Sequence, residues 1–316
     1  MRLNKALFLS IMFSSNTFAT TPVAQTALKY PATKETHTLV QARLKSLQHS
    51  NPLSTQDSLA ATKQLGMNNV PVLNQGNNHF DSEYASTAAI DALLGQGDYI
   101  SQLCFIKLSN YMNPADKGLG FTLYNSLSRL ENYGYIRKVH QKSAGCEDAD
   151  TPFINYESYN RLSHNTVKES IMWFPLLHLR KSLGERVNTE KTLIEVKTAI
   201  NQEQRVTMAF LAFAKNGNTL GTMGSYHEKN DTWILNTQMK RDLYKFVTMY
   251  YHSVVITGYD NDAISVDDTG EKHKGLLTLR GSWGSEAGDQ GDFYMSYDYF
   301  RVLVIEAQQI VRAYID

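Results

Sequence analysis

Late in the chain, Tyr251-His252-Ser253-Val254-Val255-Ile256-Thr257-Gly258-Tyr259-Asp260 sets a histidine just ahead of an apolar β-run that closes on Gly-Tyr. A second strand pattern follows in Leu277-Thr278-Leu279-Arg280-Gly281-Ser282-Trp283-Gly284. Upstream, Pro71-Val72-Leu73-Asn74-Gln75-Gly76 leads through a short loop to a helix rich in small residues over 84–94. Histidine is the side chain best suited to take and return a proton near neutral pH, and beside a nucleophile it supports acyl transfer. Asp81, at the start of that helix, has a structural reading as an N-cap. It also has a chemical one. His79 and Asp81, two apart on one loop, could join His252 as a metal-ligand set.

In this order the segments together resemble the papain-like cysteine peptidases, and the resemblance spans residues 65–315. It puts His252 at the general-base position and Gln75 at the oxyanion-hole glutamine. Counting forward from Gln75 and backward from Ala85 places the nucleophile at Asp81, where the family has cysteine. Ser82 replaces the usual aromatic, and Gly281 stands where the family's orienting asparagine belongs. Trp283 matches the tryptophan that shields the histidine from water, and Ala287 takes the place of a second tryptophan on the far side of the cleft. Gly120, with Phe121 beside it, falls where a glycine pair lines the substrate groove, and Phe121 would narrow that groove or offer an apolar pocket.

These departures bear on chemistry. The family's mechanism needs a thiolate, a histidine to activate it, and a third group to hold the imidazole in the right tautomer. A carboxylate attacks amides poorly, and Gly281 has no side chain with which to orient His252. Ser82 is one residue out of register, about 100° around the helix. Asp81 is favoured there by the helix dipole and is expected to pair with His252 as the family's thiolate does. The site is expected to hold no cofactor and no metal.

Both cysteines lie elsewhere. Cys104 sits in a segment resembling the family helix that carries a structural cysteine. Cys146 follows Tyr133-Gly134-Tyr135-Ile136, which resembles the run before its partner. The resemblance therefore implies a Cys104–Cys146 disulfide, in keeping with two half-cystines in a secreted chain. Neither is placed to attack a substrate near His252.

The elements that must position these residues follow from periodicity. Helices are expected over 38–47, 84–94, 103–112, 123–130 and 191–201, and strands over 206–213, 253–259, 263–266, 276–280 and 293–296. Asp260-Asn261-Asp262 and Asp267-Asp268-Thr269-Gly270 carry turn chemistry, and their spacing lacks the terminal glutamate that would complete a calcium loop. The resemblance implies an α+β, two-lobed papain-like fold: a helical left lobe over 65–156, an antiparallel barrel-like right lobe over 189–316, and the cleft between. Residues 158–188 and 221–242 read as insertions, packed on the body through Trp173, Phe174 and Trp233. Residues 1–19 have the basic start, short apolar run and small-residue end of a signal peptide, and 20–64 form a short lead-in or pro-segment. Export to the periplasm or outside the cell is expected.

With 31 basic and 31 acidic residues the formal charge is zero, which supplies no field for nucleic acid. No apolar run is long enough for membrane insertion. Three functions stand open: a pseudopeptidase that binds a peptide or protein in the inherited cleft or its insertions, an active cysteine-type peptidase with an unrecognised nucleophile, and a metal-dependent site at His79, Asp81 and His252.

Overall fold

The computed structural model describes residues 33–47, 59–76, 80–112, 122–148, 156–163, 170–178, 187–213, 220–245 and 247–313. The expected signal peptide and the positions of His79, Gly120 and Phe121 lie outside them. The helices are α1 (Lys34–Leu47), α2 (Asp81–Leu94), α3 (Gln102–Met112), α4 (Leu123–Tyr133), α5 (Tyr156–Leu162), α6 (Thr189–Asn201), α7 (Thr237–Leu243) and α8 (Tyr297–Leu303). The strands are β1 (Thr62–Gln64), β2 (Ile171–Leu177), β3 (Arg205–Phe213), β4 (Gly224–Ser225), β5 (Thr232–Trp233), β6 (Met249–Asp267), β7 (Lys272–Arg280), β8 (Asp292–Ser296) and β9 (Val304–Arg312).

Alanine and serine dominate one stretch of α2, and the helix is buried on every side from Ser82 to Leu93. Small side chains let its neighbours come close. It packs between the sheet strands β3, β6 and β9 and the helices α3 and α4. Gly95 ends it in the left-handed region at φ 70°, its N–H returning to Asp91 O at 2.9 Å. The Asp91 carboxylate stays inside, accepting the Tyr99 and Ile100 N–H groups at 3.0 and 3.1 Å. Burial pushes its pKa up to about 7.

The strands run in the order β2-β9-β3-β6-β4-β5-β8-β7, and β6 also pairs with β7, so β6, β4, β5, β8 and β7 form a closed circuit. All pairs are antiparallel except β5–β8. The nine residues of β3 are buried without alternation, as a strand covered on both faces must be. Residues expected as two strands, 253–259 and 263–266, are one. Asp260 does supply turn chemistry, its Oδ1 accepting the Asp262 and Ala263 N–H groups at 2.7 and 3.0 Å. However, β7 continues alongside, pairing with both Asp260 and Ile264, so the turn is absorbed as a bulge.

The stretches read as insertions carry β2, which extends the sheet through β9, and β4 and β5, which complete the closed circuit. Trp173 Nε1 donates to Glu131 at 3.2 Å and meets the Tyr124 ring edge-on, whereas Phe174 is 47% exposed. Ahead of the sheet, α1 starts one turn earlier than its periodicity implies and docks on α7 and α8. Val40 and Leu44 are buried there, the Thr36 hydroxyl lies 3.1 Å from the Tyr251 hydroxyl, and Arg43 donates to Val304 O.

Cys104 and Cys146 are bonded, with Cα atoms 5.0 Å apart and a sequence separation of 42. Closing a loop of this length removes unfolded-state freedom worth about 4 kcal/mol in the chain-entropy account. Replacing both with alanine is expected to lower the unfolding free energy by about 3–4 kcal/mol in urea titrations. Equal midpoints for the two forms would count against the bond as a stabilising element.

Candidate active site

Asp81 is the first helical residue of α2, not its cap: Phe80 holds the cap position and gives no side-chain hydrogen bond. The aspartate instead faces the sheet. Its Oδ1 accepts the Ser82 N–H at 3.0 Å, while Oδ2 accepts the Ser253 N–H at 2.7 Å and lies 2.9 Å from His252 Nδ1. A carboxylate only accepts, so the contact places the imidazole proton on Nδ1. Beside it the hydroxyls of Ser82 and Ser253 lie 2.9 Å apart in a buried contact. Two adjacent helix residues thus bind two adjacent residues of β6.

His252 enters this contact from the middle of the sheet, opposite Phe210 of β3. It is buried, and its Nε2 has no hydrogen-bond partner among the described residues. Trp283 stacks flat on the ring, centroids 4.1 Å apart and planes 11° from parallel, and Phe210 meets it edge-on at 5.6 Å. Trp233 completes the aromatic wall, fully buried 6.3 Å from both His252 and Trp283. Trp283 therefore fills space against the histidine as its position implied.

Gly281 has no side chain to offer that Nε2. Its backbone does not require glycine. A Cβ there would meet the Phe293 ring at 3.4 Å and Trp283 at 3.8 Å, ordinary contact distances. Gln75 is held by a short antiparallel zipper: its N–H donates to Ser282 O at 2.8 Å, the Ser282 hydroxyl donates to its side-chain oxygen, and Asn74 bridges Trp283. Gly76 turns the chain away at φ 61°, its N–H on Asn74 Oδ1 at 2.8 Å. Ala287, expected on the cleft wall, is 7% exposed and packs into the core.

Of the possible ligand set, Asp81 and His252 meet and His79 is outside the described residues. A different acid–histidine group, Asp267, Glu271 and His273, has its ligand atoms within 4.8 Å at the β6–β7 turn. Its carboxylates are already occupied. Asp267 accepts the Thr269 and Glu271 N–H groups, the Thr269 hydroxyl and the Asn236 amide, and Glu271 accepts the Thr237 N–H. This is hairpin and helix-cap chemistry, as Asp267-Asp268-Thr269-Gly270 implied.

Sequence reasoning did not single out Ser82–Ser253 as a contact, Trp233 as part of the histidine's wall, or Glu83. The last lies two residues past Asp81, 1% exposed, with Oε1 unpartnered. Burial pushes its pKa up to about 8, the Asp81 charge adding to the effect and Arg129 opposing it.

The sequence matches no family profile and no curated protein sequence. Its fold does have relatives. Xylellain, a cysteine protease from Xylella fastidiosa, superposes with a TM-score of 0.53 at 16% identity, covering 84% of this chain and 91% of the other. The Amb a 11 cysteine protease of ragweed pollen, in its proform, gives 0.51 at 12% identity over 84% and 69%. Digestive procathepsin L 3 of Tenebrio molitor gives 0.50 at 18% identity over 84% and 73%. The chain thus has the α+β fold of papain-like cysteine proteases.

Glu83 gives the site a pH signature. Below its ordinary value of 4.5 it is protonated folded and unfolded alike. Between there and about 8 the unfolded chain releases a proton that the folded chain keeps, so stability falls through this window and levels off above it. The loss amounts to a few kcal/mol. Glu83→Gln is expected to flatten the decline between pH 5 and pH 8 in urea unfolding, with its advantage over wild type greatest at pH 8. An unchanged slope would remove Glu83 as its source.

Proposed function

We propose that this chain is an exported, non-catalytic papain-like protein whose cleft binds a peptide or protein segment. One observation carries the reading. The sequence contains two cysteines, and both are spent in the Cys104–Cys146 disulfide, so no thiol is left to act as nucleophile. The residue at the nucleophile position is a carboxylate already engaged by His252 and Ser253. The imidazole it holds keeps its other nitrogen buried beneath Trp283. Export is supported by the disulfide and by the signal-like start of the sequence. Retention of the Gln75 zipper and the Asp81–His252 contact keeps helix and sheet in the arrangement that borders a substrate groove in this fold. Function belongs to the site and not to the fold, and this site has kept its frame while losing its nucleophile.

Purified wild type is expected to show no turnover of peptide substrates and no labelling by epoxides that alkylate active-site thiols, while an immobilised sample retains peptides from a tryptic digest of casein. Asp81→Cys alone should take up a small thiol reagent yet turn over slowly, because groups that act as a unit are strongly non-additive. Asp81→Cys with Gly281→Asn should do better, the Gly281 site having room for a Cβ. Wild-type turnover abolished by His252→Ala would overturn the proposal in favour of an active peptidase.

A further inference from the structure

Away from the Asp81–His252 contact, a cavity of about 560 Å³ opens among β1, the turn after α6, the start of β3 and the end of β9. Its volume lies within the ~300–1,000 Å³ usual for small-molecule sites. Arg205, on its wall, is five residues along β3 from Phe210, the partner of His252. At about 3.3 Å per residue that is roughly 16 Å, so the cavity is separate from the candidate active site.

Three cations and one acid line it: Lys63, Arg205 and Arg312 against Glu203. Lys63 and Glu203 answer each other at 3.1 Å on an exposed rim. Neither guanidinium has a carboxylate within ion-pair distance among the described residues. Both are instead pinned by the backbone. Arg205 Nη1 donates to Gly66 O, and Arg312 donates to Leu93 O from Nε and Nη2 at 3.2 and 2.7 Å. Arg205 is 3% exposed and its Nε has no hydrogen-bond partner among the described residues. Burial holds its pKa below the ordinary arginine value, with no acid to offset the cost. Two planar cations, each fixed by the backbone, thus line one cavity with no carboxylate in ion-pair range among the described residues.

We propose that this cavity binds a small organic anion, its carboxylate or phosphate head held by Arg205 and Arg312. Guanidinium is the side chain whose fork of N–H donors matches both head groups, and here it is fixed in advance of binding. The remaining wall is mixed, with the amides of Gln64 and Gln202 beside Leu65 and Met172. The space exceeds what an inorganic ion fills, which suits a ligand with a neutral body behind its charged head.

Isothermal titration at low salt with citrate, and separately with inorganic phosphate, tests this. Saturable binding is expected, weakened at least tenfold in Arg312→Gln and unchanged in Lys274→Gln, whose lysine pairs with Asp262 on the outer edge of the sheet. Binding of citrate alone assigns a carboxylate ligand, and of phosphate alone a phosphate. Arg205→Gln should lose binding too. Because Arg205 also anchors Gly66, Arg312→Gln decides the matter if that variant does not fold. No saturable binding of either probe, undiminished binding in Arg312→Gln, or an equal loss in Lys274→Gln would overturn the proposal.

Discussion

Everything around the candidate site depends on one carboxylate. Asp81 is where the first turn of α2 meets β6, and its Oδ2 accepts from both a ring nitrogen and the next backbone N–H. That double acceptance fixes the helix against the sheet to within a hydrogen bond, and the buried Ser82–Ser253 contact repeats the tie one residue on. Charge-assisted bonds of this kind are worth roughly 1.5–3 kcal/mol each, about twice their neutral counterparts. Here the acceptor is consumed by structure, and the imidazole tautomer follows from it.

The interior holds several ionisable side chains, each resolved in its own way. Asp91 and Glu83 are both pushed up by burial, and in Asp91 two backbone N–H groups on Oδ2 oppose that rise. Arg43, held near 10 by burial, ties α1 to the β9 carbonyl of Val304. Burial of a charge without a partner costs several kcal/mol, so such residues persist where another function of the chain requires them. Arg205 belongs with them, and the cavity it borders supplies a reason.

Much of this was legible in the sequence wherever the signal was local. Small residues over 84–94 and the apolar run of 206–213 mark a buried helix and a buried strand, and both formed. His252, Gln75 and Trp283 were placed by order and spacing, and the contacts they make follow from the strand zipper at Asn74–Trp283. What escaped was decided by partners far along the chain. The Asp260 turn became a bulge because β7 continued past it. Asp81 gave up capping because a histidine 171 residues away offered a better bond. Trp233 lies in a stretch with no pattern of its own, and only the closed circuit of β4, β5 and β8 carries it to the histidine.

The place of β9 in the sheet has a consequence for how the chain reaches its native state. β9 follows every other strand in sequence, yet it lies between β2 and β3, and β2 joins the sheet only through it. Arg43 of α1 likewise closes on Val304, 261 residues downstream. A ribosome delivers residues in order, so β2 has no strand to pair with, and β3 keeps one edge open beside β6, until β9 has emerged. The sheet cannot be completed from its N-terminal part outward. Such long-range closure makes folding slow and leaves strand edges open meanwhile, so the nascent chain depends on being kept apart from its neighbours until synthesis has passed residue 312.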